Sequence, residues 1–193
     1  MIYSHPCRIL FYINRKEVIG ISTRDEVIQR AKAKALANDK LSGCSQSVLQ
    51  ALQEELGIGN MESFKSATVL SGGLRRGETC GAIIGALMGL GLVIGRERME
   101  DIDKYQEAMV LSREVNNRFI EELHKQFDFN QELKTTLCKD IQERVLGRSF
   151  DMWQEREAFV TAGGHGDNGC PKVCAIAAQV AAEKILEIRA ART

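Results

Sequence analysis

The side chains most able to do chemistry in this 193-residue chain are six cysteines, four of which occupy equivalent places in their local sequence. Cys44 follows Ser42-Gly43 at the start of CSQSVLQALQEEL, and Cys80 follows the glycine-rich turn SGGLRRGET. Cys138 comes two or three residues after Thr135 and Thr136, and Cys170 directly precedes Pro171. Ser, Thr and Gly before an apolar run, or Pro at its start, mark helix beginnings. Four separate segments therefore each place a cysteine at a predicted helix N-terminus, with Cys170 expected as the N-cap itself. The first turn presents unpaired N–H groups and the positive end of the helix dipole, both of which favour thiolate over thiol. A sulfur so placed is a better nucleophile or metal ligand.

The plainer role of an unpaired cysteine is that of a small buried hydrophobe. Cys174 fits it, lying one turn after Cys170 among Ala175, Ile176 and Ala177. Cys7 is set outside the site. The chain has no CxxC, no CxxCH for covalent haem and no paired zinc-ribbon spacing, so spacing alone does not choose a metal. His165, in the loop AGGHGDNG ahead of Cys170, reads first as a solvated loop histidine and second as a ligand or a group that tunes Cys170. Arg75 and Arg76 could steady an anionic site at Cys80, although exposed arginines need no such reason. No serine–histidine–acid set, phosphate-cradling loop or nucleotide fingerprint is present, which argues against a hydrolase, kinase or dehydrogenase. Whether the protein turns over a substrate is left open by its residues.

The elements that must position these cysteines read as all-α. Only two prolines, few aromatics and abundant Ala, Leu, Glu, Lys and Arg favour helix. Thr23 and Glu26 form a capping-box pattern for a helix to about Asn38. A second helix opens at Ser42-Gly43 and closes at Gly57, with Val48, Leu49, Leu52 and Leu56 at helical spacing. A third runs from Asn60 to about Leu70. The fourth, TCGAIIGALMGLGLVIG, is apolar all round, as a central helix surrounded by others would be. Its Gly81, Gly85 and Gly89 recur every four residues and leave room for another backbone. An amphipathic helix from about Met99 to Phe127 follows, then one capped by Thr135 or Thr136 that ends near Gly147. A short aromatic segment carries Phe150, Trp153 and Phe159, and CPKVCAIAAQVAAEKILEI forms the last helix. The expected architecture is one helical redox domain over 23–193, with five to seven helices around the glycine-rich one. Residues 1–22, with ILFYIN and EVIGIS flanking Arg15-Lys16-Glu17, form an N-terminal extension that reads as a short hairpin.

Charge and length narrow the function further. Lysine plus arginine equals aspartate plus glutamate at 26 each, so the basic excess of a nucleic-acid binder is missing. The uncharged stretch from Cys80 to Gly95 falls short of the roughly 20 apolar residues of a membrane span, and the buried-helix reading is preferred. The apolar run near the N-terminus is only ILFYI before Asn14, too short for a signal-peptide core. A cytoplasmic location is therefore expected, where cysteines are kept for metals or redox work more than for structural bridges.

Taken in order, GCSQSVLQAL, GETCGAIIGALMGLGL, TLCKDI and CPKV resemble the C-GCAxxG-C-C family of redox-active proteins, over roughly Leu41 to Leu186. The centre of the likeness is CGAxxG at Cys80, Gly81, Ala82 and Gly85. The resemblance implies an α-helical fold and a redox role carried by Cys44, Cys80, Cys138 and Cys170. The family is similar in turn to a domain of split-Soret cytochrome c to which an iron–sulfur cluster is ascribed, though this chain has no haem-attachment motif.

Three functions remain in competition. The first is electron transfer through an iron–sulfur cluster ligated by Cys44, Cys80, Cys138 and Cys170, with a separate redox partner protein. The second is a thiol–disulfide oxidoreductase in which one cysteine attacks and another resolves, which requires paired Cα atoms within about 7 Å. The third is a structural zinc module on the same four residues. The long helix from Tyr105 to Phe127 and the apolar fourth helix could also support a homodimer.

Overall fold

The computed structural model describes residues 22–192, so Cys7 and the hairpin expected before Ser22 lie outside the described residues. Eight α-helices occur among the described residues, and no strand. They are α1 (Arg24–Asp39), α2 (Cys44–Leu56), α3 (Met61–Ser66), α4 (Gly81–Ile94), α5 (Ile102–Phe127), α6 (Cys138–Leu146), α7 (Arg156–Thr161) and α8 (Cys170–Ala191). None is long and apolar enough to cross a membrane.

The local signals act as expected at several ends. The Thr23 hydroxyl accepts from the Glu26 N–H at 3.3 Å while the Glu26 carboxylate accepts from the Thr23 N–H at 2.9 Å, closing the capping box of α1. Gly57 ends α2 in the left-handed region, where a residue without Cβ meets no penalty. The third helix is shorter than expected, because after Ser66 the chain tightens into a 3-10 turn over Ala67–Leu70. Thr135 and Thr136 do not cap α6, whose N-cap is Leu137. Thr135 instead donates to the Asp140 carboxylate at 2.5 Å and accepts the Leu137 N–H at 3.3 Å. The aromatic segment contains a short helix, α7, that the sequence pattern did not separate from its surroundings.

The last helix, α8, packs against α1, α2, α4 and α5. Small residues allow this: Ala31 and Ala35 of α1, and Ala177, Ala178, Ala181 and Ala182 of α8, are all fully buried. The glycine-rich α4 packs on α2, α8 and α5 but leaves Gly91 and Leu92 exposed, so it is not enclosed all round as its composition suggested. Its glycine ridge lies on α2. A Cβ at Gly85 would meet the Ser45 carbonyl, and one at Gly89 would lie 2.6 Å from Leu52 Cδ1. Val115, Phe119 and Leu123 of α5 join the core, each buried side chain contributing about 1.5–3 kcal/mol. The first half of α5 projects outward, with Ile102, Tyr105, Met109 and Val110 exposed.

Candidate functional site

Four helix beginnings meet at one cavity of about 40 Å3, and Cys44, Cys80, Cys138 and Cys170 all line it. Cys174 lines it too, which makes five free thiols around one space. Cys44, Cys138 and Cys170 are the first residues of α2, α6 and α8, whereas Cys80 is the N-cap of α4. Cys170 is thus one position inside its helix. The cap is Gly169, and Pro171 falls second, where its missing N–H is still harmless.

Local pairing sets the Cys80 and Cys138 backbones together. Thr79 and Leu137 form an isolated antiparallel bridge. The Cys80 N–H donates to the Thr136 carbonyl at 2.8 Å, and the Cys138 N–H donates to the Glu78 carbonyl at 2.6 Å. Both side chains line the cavity. Gly81 lets α2 approach, since a Cβ there would lie 2.5 Å from Cys44 Sγ and 2.9 Å from the Leu70 carbonyl. The glycine-rich turn then crosses beside the site with positive φ at Gly72, Gly73, Leu74, Arg75 and Gly77. That left-handed path brings Ser71, Gly72 and Arg75 to the cavity.

On the α8 side, the loop before Cys170 folds onto Phe159. A Cβ at Gly164 would fall on the Phe159 ring, and the Cys170 N–H donates to the Gly164 carbonyl at 2.9 Å. The same fold turns His165 edge-on to Phe159, with centroids 5.1 Å apart, and into the cavity lining. His165 is therefore half-buried and not a solvated loop histidine. Arg75 also lines the cavity and lies over the exposed Trp153 ring at 5.7 Å, whereas Arg76 pairs with Glu78 at 2.9 Å.

Two groups were not singled out by the sequence. Asp39, the last residue of α1, is 1% exposed and faces Cys174 in the cavity. Its Oδ2 and the His165 Nδ1 stand 4.0 Å apart, both buried and neither with a hydrogen-bond partner. Gln142 of α6, also buried, donates from Nε2 to Cys138 Sγ at 3.6 Å and to Met152 Sδ at 3.7 Å. Its Oε1 accepts the Phe150 N–H at 2.9 Å. A charged residue at the end of a helix, or a glutamine inside one, ordinarily faces water, so neither gave a signal. Only the fold turns them inward.

The electrostatics reverse one expectation. Helix N-termini were expected to lower the thiol pKa values, yet burial outweighs them at Cys44 and Cys170. Burial pushes the Cys44 thiol up to about 12, helped by Cys80 and Asp39, although the Gly72 N–H and Ser71 hydroxyl pull it back. The Cys80 thiol is raised by its hydrogen bond with Cys138 and by burial, against the opposing pull of the Ala82 and Ile83 N–H groups. Burial likewise raises Cys170 and Cys174, with Asp39 adding to both. Burial also lifts the Asp39 carboxyl to about 7 and lowers the His165 imidazole. Among the described residues, no three His, Cys, Asp or Glu side chains are arranged to hold one metal ion.

A helical domain that gathers thiols from four helix beginnings into one buried space defines a cysteine-centred redox class. The chain belongs to the C_GCAxxG_C_C family, whose model, described as "putative redox-active protein", matches residues 43–184. That span contains all five cavity thiols and begins one residue before α2. No curated protein and no solved structure matches the chain at a significant level.

Proposed function

We propose that this protein carries electrons on an iron–sulfur cluster held by Cys44, Cys80, Cys138 and Cys170, and exchanges them with a partner redox protein. The observation that carries this reading is the convergence of all four side chains on one cavity. The donors fit such a centre: soft thiols predominate among the ligating groups that line the cavity. When bound, the cluster would supply one-electron chemistry.

The protein's own contribution is to hold and shield the ligands. Gln142 donates toward Cys138, the Ala82 and Ile83 N–H groups face Cys80, and the Gly72 N–H and Ser71 hydroxyl face Cys44. Donors of this kind stabilise sulfur that carries negative charge. Free thiols raised by burial stay protonated near neutral pH, so a cation is needed to draw the protons off, and binding releases them.

A second reading is favoured by one observation, the backbone pairing that sets Cys80 beside Cys138. As a dithiol, the pair would pass two electrons and two protons to a partner's disulfide and close a disulfide of its own. Against it, the neighbouring Cys138 side chain and burial raise the Cys80 thiol, which leaves little Cys80 thiolate to attack. A single structural zinc ion, the third expectation, would need its sulfurs within about 2.3 Å of one point. Among the described residues no three candidate ligands are grouped for one ion, whereas a cluster spreads its cysteines over more than one iron.

Anaerobic purification followed by an absorption spectrum and iron, zinc and sulfide analysis decides among them. Iron with sulfide, lost in Cys80→Ser, is the expected result. Colourless, metal-free protein whose thiols oxidise reversibly in pairs would overturn it and leave the dithiol reading.

A further inference from the structure

The cavity holds one more thiol than four-cysteine ligation uses, and both thiols of α8 reach it. Cys170 and Cys174 are four residues apart, so they project from the same face of the helix on successive turns. Both line the cavity beside Cys44 and Cys80. Cys174 is fully buried and lies deeper than Cys170. Its Sγ faces the Cys44 carbonyl at 3.9 Å and the Asp39 carboxylate, whose Oδ2 is buried beside the same space without a partner. A cysteine used only as filler has no need of a buried carboxylate, since burying one without full pairing is costly.

Resting on the cluster reading above, we propose that α8 supplies two interchangeable ligands, Cys174 being a reserve thiol that takes the place of Cys170 in the metal centre. In the exchange, the bond from iron to the Cys170 sulfur breaks and one to the Cys174 sulfur forms. The Cys174 proton leaves toward the Asp39 carboxylate it already faces, and the Cys170 thiolate takes up a proton from solvent. No electrons change hands. One turn of helix separates the two positions, so the exchange asks for a shift of the centre within the cavity and no unwinding of α8.

The test compares the full-length unsubstituted chain with Cys170→Ser, Cys174→Ser, the double variant and Cys80→Ser. All are purified and reconstituted anaerobically with iron and sulfide. Iron and sulfide per chain, the visible spectrum and far-ultraviolet circular dichroism are read for each. Both single α8 variants are expected to keep iron close to the unsubstituted level, with a spectral shift in Cys170→Ser. The double variant is expected to fall to the level of Cys80→Ser with its helices intact. Mass spectrometry after alkylation should find Cys174 protected in iron-loaded Cys170→Ser and modified after chelation. Loss of iron in Cys170→Ser alone, equal to that in the double variant, overturns the reserve ligand while leaving the cluster in place. An unsubstituted chain that holds no iron overturns both readings together.

Discussion

Thr79 pairs with Leu137 across an isolated antiparallel bridge, and the next residue on each side of that bridge is a cysteine of the site. The bridge joins the start of α4 to the start of α6, which are separated by the whole of α5. Two backbone hydrogen bonds, from Cys80 to Thr136 and from Cys138 to Glu78, hold the junction and use N–H groups that a helix start leaves free. Half of the proposed ligand set is thereby positioned by main chain. The other half depends on how closely α2 and α8 approach.

Gly81 controls the approach of α2. Gly81→Ala would put a methyl 2.5 Å from Cys44 Sγ and against the Leu70 carbonyl, so the start of α2 must shift. A loss of about 1–3 kcal/mol in denaturant unfolding is expected, together with reduced iron on reconstitution. Gly91→Ala on the same helix meets nothing within 4 Å and is exposed. There the gain in helix propensity should stabilise the protein by about 0.5–1 kcal/mol. Equal effects at the two positions would contradict the packing described.

Gln142 links Cys138 to the loop that carries Phe150 and Met152. Gln142→Leu removes the N–H facing Cys138 and strands the Phe150 N–H, which should cost about 1–3 kcal/mol in unfolding experiments. In the iron-loaded protein the loss of a donor to sulfur disfavours the more negative reduced state. A lower reduction potential is therefore expected from equilibrium redox titration, and an unchanged potential would remove Gln142 from the site.

Buried titrating groups make the metal-free fold sensitive to pH. The Asp39 carboxyl rises from 3.8 to about 7 on folding, so the folded state keeps its proton longer than the unfolded chain. Its contribution is fully present below about pH 4 and is lost as pH rises through about 7. His165, lowered by burial, acts in the opposite sense, disfavouring the fold as pH falls through the range below its ordinary value. Asp39→Asn should flatten the decline in stability between pH 4 and pH 7 measured by urea unfolding of metal-free protein. A profile unaltered by that substitution would show that the carboxyl is not buried as described.

The thiols extend that argument to alkaline pH. Cys44 rises from 9.0 to about 12, so the unfolded chain ionises first and stability falls as pH climbs through that interval. In the same window the folded, metal-free protein should react with iodoacetamide at Cys44 far more slowly than the urea-unfolded chain does. Comparable rates at pH 9 would show an accessible thiolate and favour the dithiol reading.

The sequence by itself determined the helical class, most helix ends and the four cysteines at helix beginnings. Those are local matters: Thr23 and Glu26 close a capping box, Gly57 accepts a left-handed turn, and Pro171 tolerates a first turn because its own geometry permits it. Even the Gly81–Gly85–Gly89 ridge announced a close contact, since a missing Cβ has few other uses inside a helix. What only the tertiary structure decided was convergence and environment. That Thr79 would meet Leu137, that Asp39 and His165 would turn inward, and that Cys174 would share a cavity with Cys170 depend on the packing of α1, α2, α4 and α8. Burial is likewise a property of the assembled fold. It outweighs the helix N-terminus at Cys44 because removing a thiolate from water costs more than a few backbone N–H groups return.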